Sequence, residues 1–276
     1  MLEFQILTEN RVRKRGLLAE HGLSLWIELD QTRILFDTGQ SGVFSHNAKA
    51  MGVRLEDTDL VIFSHGHYDH TGGFLEFKEY LNPQAKIFIH PDAFRKRYVR
   101  KENKPVDVGI PWNSSSVGVE KNEVVFNTKP YLIADGILIS GEIPRKTDFE
   151  DVPVYFETES PAGFVHDRII DEQMLIIKEE GKLYLFLGCG HPGVVNCLHY
   201  AAELFPEKEI AAVIGGMHLE GAEVSRLNKT VQSLLDFGVK KVIPLHCTGE
   251  NAVNEIKKIF GEACLTPMVG EGIRLV

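Results

Sequence analysis

Between Ser64 and Gly73 the chain reads SHGHYDHTGG, which gathers His65, His67, Asp69 and His70 into a very short span. The run follows Leu60-Val61-Ile62-Phe63, a short apolar stretch that predicts a buried strand. Side chains two apart in an extended segment leave on the same side, so His65 and His67 can pinch one metal ion. Gly66 and Thr71-Gly72-Gly73 allow a tight turn into a helix, where Asp69 and His70 can serve a second ion. Imidazole suits zinc, iron, cobalt and manganese, and a carboxylate adds a harder oxygen. A closed structural zinc site usually recruits cysteines and keeps no spare ligands. This loop holds four candidates with no CxxC nearby, which points to a reactive centre.

The elements that must position this loop can be read on either side of it. Residues 3–8 predict a first strand, followed by the basic turn Arg11-Val12-Arg13-Lys14-Arg15, read as a solvated loop. Residues 23–29 and 32–36 predict a hairpin around Asp30-Gln31, ending in Asp37-Thr38-Gly39. Helices are expected at 43–51, closed by Gly52, and at 74–81, with a strand at 85–89. The basic run 92–104 predicts a helix, with a solvated face or an anion-collecting surface as its two readings. Residues 105–122 and 147–165 predict irregular segments, and strands resume at 123–126 and 131–139.

The second half repeats the first. Strands at 173–177 and 183–187 flank Glu180-Gly181 and end in GCGHPG, residues 188–193. A helix (194–205), a strand (210–214) and Gly215-Gly216-Met217-His218 follow. Gly42 to His67 and Gly193 to His218 are both intervals of 25 residues, with helix and strand in the same order, which predicts an internal duplication. A helix at 223–236, a strand at 239–245, His246-Cys247-Thr248-Gly249, a helix at 250–260 and a strand at 272–276 complete the chain. His191, His218 and His246 thus fall one each at matching strand ends. His191 and His246 are candidate ligands, and His218 is better placed as a catalytic or substrate-contacting group. Asp69 can also hold or share a proton at the centre. Cys189 is a thiolate ligand or a packed neighbour. His166 is a fallback ligand, His90 a rim or structural histidine, and His21, His46 and His199 structural or exposed.

Composition bounds the function. At 276 residues, 43% hydrophobic and 25% charged, the chain is expected to be soluble and globular. A net charge of −9 and a pI near 5.7 argue against a general nucleic-acid binder. No apolar run approaches a membrane span, and MLEFQILTEN lacks a signal-peptide layout. Four scattered cysteines predict reduced thiols and a cytoplasmic protein.

The HxHxDH loop after an apolar strand resembles the metallo-β-lactamase fold superfamily. FDTGQSG, GEIPR, GCGHPG, GGMHL and HCTG narrow the resemblance to the subgroup of the archaeal dihydropterin synthase-like proteins of methanopterin biosynthesis and their bacterial relatives, over about residues 3–276. The resemblance implies an α/β four-layer αββα sandwich in a single domain over 1–276, and composition predicts the segments 92–122 and 147–168 as lids or inserts over the site. The resemblance also implies two divalent metal ions, zinc foremost with iron, manganese or cobalt as alternatives. Asp37 would sit behind the ligands and orient them. Many members carry a metal-bridging Asp where this chain has Cys189. The archaeal enzymes join a 6-hydroxymethyl-dihydropterin diphosphate to a ribofuranosylaminobenzene 5′-phosphate and lose diphosphate. A transferase on a phosphorylated small molecule is implied, with Arg95, Arg97 or Arg145 on outer phosphates. A hydrolase of phosphoesters, lactones or thioesters, a di-iron redox protein and a non-enzymatic metal or ligand sensor are the other readings. No nucleic acid or membrane partner is expected, and a homo-oligomer is compatible.

Overall fold

The computed structural model describes residues 1–117 and 122–276. The chain forms two compact units, one of Met1–Thr128, Val152–Asp171 and Met268–Val276, the other of Lys129–Asp151 and Glu172–Pro267. Strands and helices are numbered along the whole chain.

The first unit holds β1 (Leu2–Thr8), β2 (Ser24–Leu29), β3 (Thr32–Phe36), α1 (Val43–Met51), β4 (Leu60–Ile62), α2 (Tyr68–Thr71), α3 (Phe74–Phe77), β5 (Lys86–Ile89), β6 (Arg97–Lys101), β7 (Lys104–Asp107) and β8 (Glu123–Phe126). The second contributes β9 (Tyr131–Ala134) and β10 (Ile137–Ile139) before the chain returns to the first for β11 (Phe156–Ser160) and β12 (Gly163–His166). The second unit then adds β13 (Leu175–Glu179), β14 (Lys182–Leu187), α4 (Val194–Leu204), β15 (Glu209–Gly215), α5 (Val224–Asp236), β16 (Lys241–Pro244) and α6 (Glu250–Phe260), and β17 (Gly272–Arg274) closes the first.

In the first unit, β17-β1-β2-β3-β4-β5-β8 form one seven-stranded sheet. The hairpin β2–β3 is antiparallel, and β3, β4, β5 and β8 run parallel. Leu60, Val61 and Ile62 are all buried, as a parallel strand covered on both faces requires. Phe44, Phe63, Phe74, Phe77 and Trp112 fill the core beneath it. Helix α1 stops where expected, because Gly52 takes a left-handed φ of 77° at no steric cost.

The second unit repeats this plan in a six-stranded sheet, β16-β15-β14-β13-β10-β9. Its hairpin β13–β14 is antiparallel, and β14, β15 and β16 are parallel. Glu180 and Gly181 both carry positive φ, 49° and 75°, the two-residue turn that matches strand twist. The duplication read from the sequence is thus present as topology: hairpin, helix, parallel strand.

The amino end of α4 is capped from a distance. Glu150 is buried and accepts the Val195 and Asn196 N–H groups, each at 2.9 Å. Burial pushes its carboxyl above the ordinary range, against the pull of those two donors and Thr147. Glu150→Ala leaves two buried donors unmet and is expected to cost about 1–3 kcal/mol, read as a lower urea midpoint with an unchanged slope.

The basic helix expected at 92–104 is not formed. Residues 91–94 make a single tight turn, and β6 and β7 form a hairpin through Glu102 and Asn103, both at positive φ. Tyr98 and Val99 favour a strand, and the charge run masked that preference. The segments expected to be irregular lids are paired with each other: β12-β11-β6-β7 is a four-stranded antiparallel sheet. Residues 118–121 of the expected 92–122 segment lie outside the described residues. Among the described residues, no helix is long and apolar enough to cross a membrane.

Candidate metal centre

The loop 64–71 leaves the carboxyl end of β4 beside Asp37, which follows β3. Asp37 is fully buried and takes the Ser64 N–H (2.7 Å), the Ser64 hydroxyl proton (2.6 Å) and the His70 Nδ1–H (2.6 Å). With its proton given to Asp37, Ser64 Oγ must accept from His65 Nδ1 at 2.9 Å. One carboxylate therefore sets two tautomers, His70 directly and His65 through a serine. Both rings then carry their lone pair at Nε2, a form in which imidazole can ligate a metal. Burial pushes the Asp37 carboxyl up, opposed by His70 and then by the Ser64 donors.

His65 Nε2 lies 2.9 Å from His67 Nδ1. Two imidazole nitrogens on one ion, each at about 2.0–2.1 Å, lie roughly 2.9–3.4 Å apart for octahedral to tetrahedral angles. The spacing and the set tautomer fit a shared divalent ion. Asp69 Oδ2 stands 4.0 Å from His70 Nε2 and 3.1 Å from His21 Nε2. His21, read from sequence as structural or exposed, is half-exposed and is a polar neighbour of Asp69. Its place in the long β1–β2 connection offered no signal for that role.

The four-stranded sheet holds this loop from the side. Gly66 N–H donates to Asp171 Oδ2 at 2.8 Å, and Asp171 is gripped by Arg97 at 2.7 Å on both of its oxygens. Arg97 Nε lies 3.0 Å from Asp167. Arg97 is 1% exposed, so the guanidinium is enclosed between two acids. Residue 67 bridges Gly109 and Tyr68 N–H donates to Val108 O. The His67 ring stacks on Phe156 at 5.6 Å, and Trp112 Nε1 donates to Thr71 O at 2.8 Å. Gly66 has to be glycine, because a Cβ there would run into the Ala93 backbone.

The second unit has its own brace. Glu172 takes the N–H groups of Cys189 (3.0 Å), Gly190 and His191 (2.8 Å), and the His191 Nδ1–H (2.6 Å). His191 thus carries its lone pair at Nε2, as His65 and His70 do. Burial alone would raise the Glu172 carboxyl, but its pairing with His191 and the hydrogen bonds outweigh it and hold the pKa below the ordinary value. The His218 ring lies 4.5 Å from His191. Burial, then His191, pushes the His218 pKa down to about 3, so that ring is neutral at pH 7. His218 and His246 both hold left-handed backbone, φ 45° and 49°, a conformation that tends to mark functional positions. Glu172 and Asp171 were missed by sequence reasoning. Their signal was two adjacent acids leading into an apolar strand.

The arginines divide. Arg97 is not a group for outer phosphates: burial and two carboxylates occupy it. Arg95 remains half-exposed, 3.5 Å from Asp92. Arg145 donates to the His191 carbonyl at 3.1 Å. His166, the fallback ligand, lies on exposed β12, its Nε2 3.1 Å from Val152 O. His90 is buried and accepts the Asp92 N–H at 3.1 Å, a structural turn cap.

The family model of the metallo-beta-lactamase superfamily matches residues 18–203. A 7,8-dihydropterin-6-methyl-4-(beta-D-ribofuranosyl)-aminobenzene-5'-phosphate synthase of Methanocaldococcus jannaschii is 33% identical over 254 residues, covering 88% of this chain and 86% of its own. An uncharacterized protein of the same organism is 31% identical over 257 residues, 92% of this chain and 94% of its own. The crystal structure of a metal-dependent hydrolase of the beta-lactamase superfamily, 29% identical, matches with a TM-score of 0.85 over 99% of both chains.

Proposed function

This chain belongs to the metallo-beta-lactamase superfamily, and we propose that it is a metal-dependent transferase acting on a phosphorylated small molecule with loss of diphosphate. The observation that carries this reading is its 33% identity, across most of both chains, to the methanopterin-pathway synthase. His65, His67, Asp69 and His70 would hold metal in one unit, and His191 and His246 in the other. Divalent ions bound there would supply Lewis-acid stabilisation of charge on phosphoryl oxygens.

The chain's own residues have separate tasks. Asp37, through Ser64, and Glu172 hold the imidazole protons at Nδ1, which keeps the ligand atoms ready without reorganisation. Asp69 can take or share a proton with His21 beside it. His218, neutral at pH 7, offers a hydrogen bond rather than standing as a cation. Arg95 and Arg145 are the remaining arginines for outer phosphates. A hydrolase is the second reading, favoured by the 29% identical metal-dependent hydrolase that matches along its whole length.

One assay separates the two. Zinc- or manganese-loaded protein is given a hydroxymethyl-dihydropterin diphosphate, with and without a ribofuranosylaminobenzene phosphate acceptor, and diphosphate release is followed. Release that requires the acceptor supports the transferase. Acceptor-independent cleavage supports the hydrolase, and no turnover of these or of an ester panel overturns both. Chelation should abolish the activity, and His67→Ala should lower it by more than the roughly 10–100-fold typical of an outer partner.

A further inference from the structure

We propose that β9 is a self-association edge, at which two copies of this chain pair antiparallel about a two-fold axis centred on Leu132 and join their six-stranded sheets into one. The proposal concerns the second unit alone and does not depend on the metal-centre reading above.

The two ends of the six-stranded sheet differ in character. At one end Val242, Ile243 and Pro244 of β16 are buried, and Leu265 N–H donates to Val242 O at 3.0 Å, so the chain that follows α6 closes that edge. At the other end β9 pairs with β10 on one side, and the sheet stops there. An edge strand offers its outer row of backbone donors and acceptors to a further strand. The strand itself, Tyr131 to Ala134, carries no charge, and Tyr131 and Leu132 are 41% and 64% exposed. It therefore lacks the charged side chains that blunt exposed edges. An edge of the four-stranded sheet shows the contrast: β7 sets Lys104, Pro105 and Asp107 along its exposed length.

The residues around the strand identify the occupant, because they are complementary to themselves. Residues 129–135 read Lys-Pro-Tyr-Leu-Ile-Ala-Asp. Laid antiparallel on a second copy with Leu132 opposite Leu132, Tyr131 falls opposite Ile133, Pro130 opposite Ala134 and Lys129 opposite Asp135. Aromatic with β-branched pairs and opposite-charge pairs are both favourable directly across strands, and the two-fold axis makes each of them twice. Lys129 and Asp135 are exposed, and among the described residues neither forms an ion pair within its own chain. Pro130 has no N–H to give, which an edge strand tolerates at its start. A slip of one residue sets Lys129 against Ala134 and reverses the faces of the added strand, so one register is favoured. A contact built on one strand pair is small, and the dimer is expected to come apart on dilution.

The test is sedimentation equilibrium of the full-length protein over a broad concentration series, with the same series on charge-reversed variants. The expected result is a reversible monomer–dimer equilibrium in the native protein. Lys129→Asp and Asp135→Lys each set like charges against each other at both ends of the strand pair, and each should raise the dissociation constant about tenfold. The double variant restores opposite charges and should regain dimerisation, which a single variant that had merely misfolded would not do. Leu132→Cys, treated with glutathione disulfide, should link two chains through residue 132, while the native protein with its four cysteines stays uncrosslinked. A native protein that is monomeric at the highest concentration overturns the proposal, as does a dimer that neither reversal weakens. Weakening by both single variants without recovery in the double variant overturns the two-fold register.

Discussion

Asp171→Ala is expected to destabilise the protein by about 3–5 kcal/mol, the cost of leaving a buried charge without its partner. Arg97 has both of its terminal nitrogens committed, NH1 and NH2 each lying 2.7 Å from an Asp171 oxygen. Alanine removes that fork and leaves the enclosed guanidinium with Asp167 and the Asp92 carbonyl. Paired removal, Asp171→Leu with Arg97→Met, should recover only part of the loss, because both charges of the fork are gone but Asp167 loses its Arg97 partner and the Gly66 N–H its acceptor. Burial pulls the Asp171 carboxyl up, but Arg97 and the Gly66 N–H outweigh it and hold the pKa below the ordinary aspartate value. A depressed acid contributes stability that is present above its unfolded pKa and lost as pH falls through the folded one. The native protein should therefore lose stability more steeply than the paired variant below about pH 4. Asp171 also holds Gly66, between His65 and His67, so the paired variant should regain part of the stability without regaining full metal affinity. Urea midpoints and chelator competition on the same samples read the two effects. A loss under about 1 kcal/mol in Asp171→Ala, the size of a surface pair, would show that the fork is not structural.

Asp37→Asn is the second large effect, and it falls on metal rather than fold. The substitution keeps volume, and asparagine tolerates the left-handed backbone at this position, φ 58°. Burial pushes the Asp37 carboxyl up, so removing the charge relieves a desolvation cost that offsets part of the hydrogen bonding lost from the metal-free fold. Its hydrogen bonds change sign, however. One amide oxygen can still serve the Ser64 N–H, but an NH2 then faces the Ser64 hydroxyl and His70 Nδ1–H, which both need an acceptor. His70 and, through Ser64, His65 lose the groups that keep their protons at Nδ1. Metal affinity should fall about 10–100-fold, with a urea midpoint close to that of the native protein. Zinc competition against a chromophoric chelator measures the first and a denaturation curve the second. Unchanged affinity would mean that Asp37 braces the strand ends and nothing more.

The sequence by itself determined the elements whose signals are local. Helix α1 ends at its glycine, the two hairpins carry their turn residues, and the parallel strands are short apolar runs. The HxHxDH loop was legible because its ligands are neighbours in the chain. The 25-residue interval that aligns Gly42–His67 with Gly193–His218 exposed the repeated topology for the same reason. Only the tertiary structure decided how these ligands are held. Asp37 reaches Ser64 and His70 across 27 and 33 residues, and Asp171 reaches Gly66 across 105. Pairing of β6 with β11 turned two expected lids into one sheet and drew Arg97 from an expected phosphate contact into a buried fork. Hydrogen bonds between residues so far apart leave no periodicity to read, and a charged side chain looks the same in a sequence whether solvent or two carboxylates surround it. Asp171 and Glu172, adjacent in the chain, serve one unit each, and that division of labour exists only once each carboxylate has found its own set of donors.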